Sequence, residues 1–284
     1  MSTALAQHGE TLSIETRAAR LKEIAADIRV SIVNTIAGPR MGHIGGDFSV
    51  TDILVTLFFD IMRTRPADPE WAERDRFILS KGHCSAALYS VLATAGYFSP
   101  ELLSTFMAPL SVLNGHPNRR KVKGVEANTG PLGHGLPIGV GAAIAATISK
   151  SDYRTFVVLG DGELQEGSNW EAAMFAGHRK LSNLTAIVDR NRLQQGARTE
   201  DTNSLEPLGD KWRAFGWEVH DVDGHDHAAL LAAFEAPRID KPRFLIANTR
   251  KGKGVSFIED RVEWHHKVPS PEQALQAIEE LRAR

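Results

Sequence analysis

The sequence predicts an α/β protein built on a parallel sheet with helices on both faces. Short apolar, β-branched segments alternate with helical patterns along most of the chain, as in repeated strand–helix–strand units. Two of these segments, Thr155–Leu159 and Leu184–Val188, are separated by one helical stretch and lead into polar residues, Gly160-Asp161-Gly162 and Asp189-Arg190-Asn191. No internal repeat and no clear linker divides the 284 residues, so a single domain over 1–284 is expected.

The elements follow in order. Residues 1–12 are polar and expected to form a flexible tail. From Ser13 to Ile36 apolar residues recur every three or four positions (Leu21, Ile24, Ile28, Ile32), which predicts an amphipathic helix. After the loop GPRMGHIGGD, Ser49 is expected to cap a second helix, with Asp52 in a capping-box arrangement. Arg76–Leu79 reads as a strand, Ser80-Lys81-Gly82-His83 as a loop, and Ala86–Ala95 as a helix. Pro109 to Gly135 is rich in Gly, Pro and Asn, and an irregular stretch this long is usually functional or disordered. The helix that follows, to about Lys150, holds the longest apolar run, Ile138–Ile148, and is read as buried. Asn169–Gly177 is helical, Trp217–Val222 and Phe244–Asn248 are strands, and Pro271–Arg284 is a charged amphipathic helix.

Composition excludes several classes. With 42% hydrophobic and 24% charged residues and a net charge of −2, the chain has no basic stripe for nucleic acid and no polybasic cluster for an anionic membrane. No apolar run approaches the roughly 18 residues of a spanning helix. The amino terminus lacks the features of a secretory signal. The single cysteine, Cys84, excludes an internal disulfide and fits a reducing compartment, so a cytoplasmic location is expected.

Four glycine–histidine pairs mark loops: Gly42-His43, Gly82-His83, Gly115-His116 and Gly133-His134. One such pair is commonly a solvated turn. Four on one chain point to loops that approach a ligand and offer it imidazoles. The strongest constellation is Gly160-Asp161-Gly162 with Asn191 about 30 residues on, roughly one βαβ unit, at consecutive strand ends. A carboxylate and an amide oxygen are hard ligands for Mg2+, Ca2+ or Mn2+, and glycines let backbone N–H groups face phosphate oxygens. The alternative, a plain turn with Asp161 as a cap, accounts for the first motif but not for the asparagine.

This pattern resembles the thiamine diphosphate signature, and the flanking text is similar to the amino-terminal domain of transketolases. Met41-Gly-His-Ile-Gly-Gly46, Ser80-Lys-Gly-His83, Gly115-His-Pro117, Thr129-Gly-Pro-Leu-Gly133 and Gly160-Asp-Gly-Glu-Leu-Gln-Glu-Gly167 occur in the transketolase order, over about residues 15 to 270. The resemblance implies a thiamine diphosphate-binding fold and a set of roles. Asp161 and Asn191 would ligate the metal by side chain and Leu193 by its carbonyl. Gly162 would offer its N–H to the diphosphate, which His83 and His265 would also reach, and Asn191 and Glu166 would lie at the cofactor. Gly130, Pro131 and Leu132 would pack near the aminopyrimidine and thiazolium. His43, His116 and His265 would serve catalysis at the sugar hydroxyls and in proton transfers. Glu166 would join an acidic contact at the interface between subunits.

Two departures stand out. His134 replaces the usual Gln of Gly-Pro-Leu-Gly-Gln-Gly, and His265-His266 replaces the usual His-Gly, so either histidine could meet the diphosphate. Cys84 is expected to be buried and structural. Lys251-Gly-Lys253-Gly254 lacks the Walker spacing and is read as a lid, with Trp264 beneath it. Transketolases supply the catalytic glutamate facing the aminopyrimidine from a second domain, and this chain offers no candidate. The expectation is therefore a subunit that pairs with a carboxy-terminal, pyrimidine-domain subunit, self-associates about a two-fold axis, and transfers a two-carbon ketol unit between sugar phosphates. Alternatives are a ketol transferase for an unusual sugar phosphate, another thiamine-dependent synthase or 2-oxo acid dehydrogenase component, a non-catalytic partner, or a nucleotide-binding module. The last lacks a lysine-bearing phosphate loop.

Overall fold

The computed structural model describes residues 12–283. The tail expected over 1–12 lies outside these residues except for Leu12, as does Arg284 at the end of the expected last helix. Five strands, β1 (Arg76–Leu79), β2 (Thr155–Gly160), β3 (Leu184–Arg190), β4 (Glu218–Asp223) and β5 (Arg243–Asn248), form one sheet in the order β1-β2-β3-β5-β4. Every pairing is parallel, as the strand–helix alternation predicts. The chain steps outward from β1 to β3, then crosses to edge strand β4 and returns to insert β5. The order thus changes direction beside β3, where an open α/β sheet forms its ligand crevice.

Side chains alternate across the sheet and divide the core in two. Phe156, Val158, Ile187, Leu245 and Ala247 face one layer, formed by α1 (Ile14–Ala37), α2 (Ile44–Thr56), α3 (Ser85–Ala95), α8 (His227–Glu235) and α9 (Pro271–Arg282). Val157, Leu159, Ala186, Val188 and Phe244 face the other, with α4 (Gly135–Ser149), α5 (Gly167–His178) and α7 (Leu208–Ala214). A short α6 (Thr199–Thr202) follows β3. Helix α1 starts where expected, with Ser13 Oγ accepting from Thr16 N at 3.3 Å. Its Leu21, Ile28, Ile32 and Ile36 are fully buried, each contributing about 1.5–3 kcal/mol of burial free energy.

Two expectations are corrected. Helix α2 begins at Ile44, not after Ser49, and His43 is its N-cap residue. Ser49 lies inside the helix, where its hydroxyl donates to Asp189 Oδ2 at 2.6 Å, and Asp52 pairs with Arg29. The capping signature misled because every residue of α2 is buried, so its polar side chains serve tertiary bonds and leave no amphipathic period to mark the start. Helix α4 is only half buried. Leu136, Val140 and Ala143 face the sheet, whereas Ile138 and Ile148 are 43% and 78% exposed. Met174 and Phe175 of the neighbouring α5 are exposed too.

The carboxyl of Asp47 is fully buried in α2. One oxygen accepts from Ala87 N at 2.9 Å and the other has no partner. Burial pushes its pKa from 3.8 up to about 7. The stability it contributes is therefore fully present below pH 3.8 and is lost as pH rises through about 7. Asp47→Asn is expected to stabilise the protein by about 1–3 kcal/mol above pH 8 and to give no gain below pH 4. Melting temperature against pH measures this, and equal shifts at both ends would disprove the buried charge.

Candidate active site

The carboxyl ends of four adjacent strands converge on one cleft of ≈ 350 Å³. Lys81 follows β1, Asp161 follows β2, Asn191 follows β3, and Lys251 follows β5. All four are buried. The register that pairs Gly160 with Asp189 sets the β2 and β3 ends level, which brings Asp161 and Asn191 to the same rim.

Asp161 is fixed from behind. Its Oδ2 accepts from Arg190 Nη1 at 3.2 Å and Arg192 N at 2.5 Å, and its Oδ1 accepts from Gly162 N at 2.8 Å. Burial pushes this carboxyl up and Arg190 opposes the rise. Asn191 is oriented by Ser49, whose oxygen accepts from Nδ2 at 3.2 Å, while its Oδ1 accepts from Leu193 N at 3.0 Å. The Leu193 carbonyl accepts from Lys251 Nζ at 3.3 Å. These are three hard oxygen donors on one cleft wall.

The opposite charge is also present. Lys81 Nζ donates to Asp189 Oδ2 at 2.6 Å, and burial against that carboxylate leaves the pKa of the lysine raised. Lys251 Nζ lies 2.8 Å from His265 Nδ1, and burial, then Lys81, lowers its pKa to about 8. Two buried ammonium groups beside oxygen donors suit a phosphate group and its cation together. The buried Gln194 Oε1 in the cleft lining has no partner, so the wall carries an open polar contact.

Imidazoles close the other end. His43 and His83 have ring centroids 5.1 Å apart, and His43 and His265 5.7 Å. Burial, helped by His266, His116 and the lysines, lowers His43 to about 4. Burial and Lys251 lower His265 to about 2, and burial and Lys81 hold His83 well below its ordinary value. The three rings are therefore neutral at pH 7, each with one donor and one acceptor nitrogen. His43, His265 and His266 offer ring nitrogens within 4.8 Å of one another. With Lys81 and Lys251 in the same cleft, this end favours hydroxyls and anions over a second cation.

A glycine loop forms the wall between these ends. Gly130 and Gly133 hold φ of 142° and 79°, which a side chain resists. A Cβ on Gly130 would sit 2.9 Å from the His116 ring. Glu163 fastens this loop to the strand ends: its Oε1 accepts from Gly133 N at 2.9 Å and from the Ser80 hydroxyl, and its Oε2 from Gly160 N at 3.0 Å.

Of the residues singled out in the sequence, His43, His83, Gly130, Leu132, Asp161, Gly162, Glu166, Asn191, Leu193 and His265 line the cleft. Pro131 is exposed and not in its lining, and His116 stands one layer out, behind Gly130. Both His265 and His266 line the cleft, the first half-buried and the second exposed. Cys84 is buried, as expected. Sequence reasoning passed over Lys81, Glu163, Gln194 and Gln195, and it read Lys251 only as part of a lid. The usable signal was position: Lys81 and Lys251 each lie within three residues of a strand's carboxyl end.

Comparison with known proteins bears on this cleft. A family profile described as "Transketolase, thiamine diphosphate binding domain" matches residues 21–279. An apulose-4-phosphate transketolase subunit of Phocaeicola vulgatus is 47% identical over 260 residues, covering 90% of this chain and 92% of that protein. A 6-deoxy-6-sulfo-D-fructose transketolase subunit of Clostridium sp. is 42% identical, covering 92% of this chain and 96% of that protein. Among solved structures, the transketolase of Campylobacter jejuni superposes with a TM-score of 0.87 at 32% identity. That match covers 96% of this chain but only 43% of the longer one.

Proposed function

The chain belongs to the transketolase family through its thiamine diphosphate binding domain, and we propose that it is the metal- and diphosphate-binding subunit of a two-subunit, ketol-transferring enzyme. The observation that carries this reading is the meeting of Asp161, Asn191 and the Leu193 carbonyl with Lys81 and Lys251 in one cleft. Relatives of the same length that are named as one subunit of a transketolase support a pyrimidine-domain partner.

The three oxygen donors would hold Mg2+, or Ca2+ or Mn2+ in its place. Gly162, His83, His265 and Lys251 would meet the diphosphate, while Gly130, Pro131 and Leu132 pack near the rings. The bound thiazolium would supply the electron sink for the two-carbon unit. His43 and His116 orient the sugar hydroxyls, and a neutral His43 can take or return a proton near pH 7. Glu166, exposed at the start of α5, and the exposed Ile138, Ile148, Met174 and Phe175 support self-association about a two-fold axis on the α4–α5 side. A cytoplasmic location fits the lone, buried Cys84; among the described residues no helix is long and apolar enough to cross a membrane.

A specialised sugar phosphate donor is the second reading. His266 stands at the cleft where transketolases have glycine, with Nε2 3.1 Å from Gln195 Nε2, and narrows the approach to His43. Calorimetric titration of thiamine diphosphate with Mg2+ into the chain co-expressed with its partner tests both readings, alongside ketol transfer from xylulose 5-phosphate, apulose 4-phosphate and 6-deoxy-6-sulfofructose. Binding with transfer from any donor supports ketol transfer, and the preferred donor decides the second reading. Absence of binding would overturn the cofactor assignment.

A further inference from the structure

His225 lies in the turn between β4 and α8, away from the cleft, yet both of its ring nitrogens are committed. Nδ1 is 2.7 Å from Asp52 Oδ2, and Nε2 accepts from the backbone N–H of Arg250 at 2.8 Å. Since Arg250 N–H can only donate, Nε2 is the bare nitrogen and Nδ1–H points at Asp52. Asp52 is itself held by Arg29 Nη2 at 2.6 Å, and His227 Nε2 lies 3.3 Å from its other oxygen. The imidazole side chain is 9% exposed. A buried Arg–Asp–His relay therefore runs from α1 through α2 and ends on one backbone amide.

That amide belongs to the turn that carries Lys251. The turn is anchored on its other sides by Thr249, whose hydroxyl donates to Asp189, and by Gly252 N, which donates to the Gly45 carbonyl at 2.9 Å. Between them, Lys251 reaches Leu193 O and His265 Nδ1. We propose that His225 is a positioning residue: with its tautomer fixed by Asp52, it sets the Arg250 peptide so that the Lys251 ammonium stands at the diphosphate end of the cleft. This rests on the reading of the cleft as a diphosphate site.

Two substitutions separate the hydrogen bonds from the volume. His225→Phe fills the space with no acceptor for Arg250 N–H. His225→Gln keeps a donor for Asp52 and an acceptor for Arg250 at similar spacing. The enzyme assembled with its partner is studied by hydrogen exchange over residues 248–254 without cofactor, and by titration of Mg2+ and thiamine diphosphate. His225→Phe is expected to speed exchange in that segment and to weaken cofactor affinity by about 10–100-fold, as outer supports of a ligand site do, with KM for the cofactor rising more than kcat falls. His225→Gln is expected to restore both. In a Lys251→Met background, His225→Phe should add less than about threefold, because the lysine it positions is gone. Faster exchange with unchanged affinity, failure of the Gln variant to rescue, or full additivity with Lys251→Met overturns the proposal. A wild-type enzyme that does not bind the cofactor overturns the diphosphate reading instead, and the exchange arm still reports whether His225 holds the turn.

Discussion

Asp161→Asn is expected to weaken magnesium-dependent binding of thiamine diphosphate by at least about 100-fold, on the order of 3 kcal/mol. Of the three candidate oxygen donors, Asp161 alone carries a formal charge. Its two oxygens already face donors on the protein side, Gly162 N on one and Arg192 N with Arg190 on the other. An amide at this position loses the charge and turns an NH2 group toward one of those donors, so the oxygen facing the cleft is displaced as well. Calorimetric titration at several magnesium concentrations reads the effect. A variant that binds the cofactor as the wild type does, with the same dependence on magnesium, would remove Asp161 from the metal site.

Glu163→Ala is expected to lower unfolding free energy by roughly 3–6 kcal/mol and the melting temperature by about 10 °C or more. The buried carboxylate is the common acceptor for Ser80, Gly133 N and Gly160 N. Truncation leaves these three donors without partners in a dry interior, each costing about 1–3 kcal/mol. Glu163→Gln retains one acceptor oxygen but places its NH2 against a backbone N–H, so an intermediate loss is expected. Because Glu163 ties the Gly130–Gly133 loop to the ends of β1 and β2, cofactor affinity should fall in the same order as stability. A Glu163→Ala protein as stable as the wild type would show that the loop is held by other means.

The strands, their parallel pairing and most helices were legible because each carries its own signal. β1 has four consecutive residues facing inward, β2 and β3 alternate cleanly between two cores, and α1 keeps a helical period on one face. Helix α2 was misplaced for the opposite reason. It is buried on every side, so no period distinguishes its start from its middle, and Ser49 and Asp52 imitate a cap while serving bonds to Asp189 and Arg29. In α4 an unbroken apolar run suggested burial all round, but the sheet covers only the Leu136, Val140 and Ala143 side.

For the site, the sequence by itself determined the groups whose chemistry is written in local motifs: the oxygen donors Asp161 and Asn191 at strand ends, the glycines that admit a ligand, and the histidines beside them. What only the tertiary structure decided is which distant groups share their environment. Lys81 and Lys251 are separated by most of the chain, and neither lies in a motif that predicts burial. They become part of the site because β1, β2, β3 and β5 present their carboxyl ends side by side. The same convergence buries His43, His83 and His265 against two ammonium groups, which is what keeps them neutral. Burial and charge proximity are properties of the three-dimensional arrangement, so no reading of neighbours along the chain could supply them.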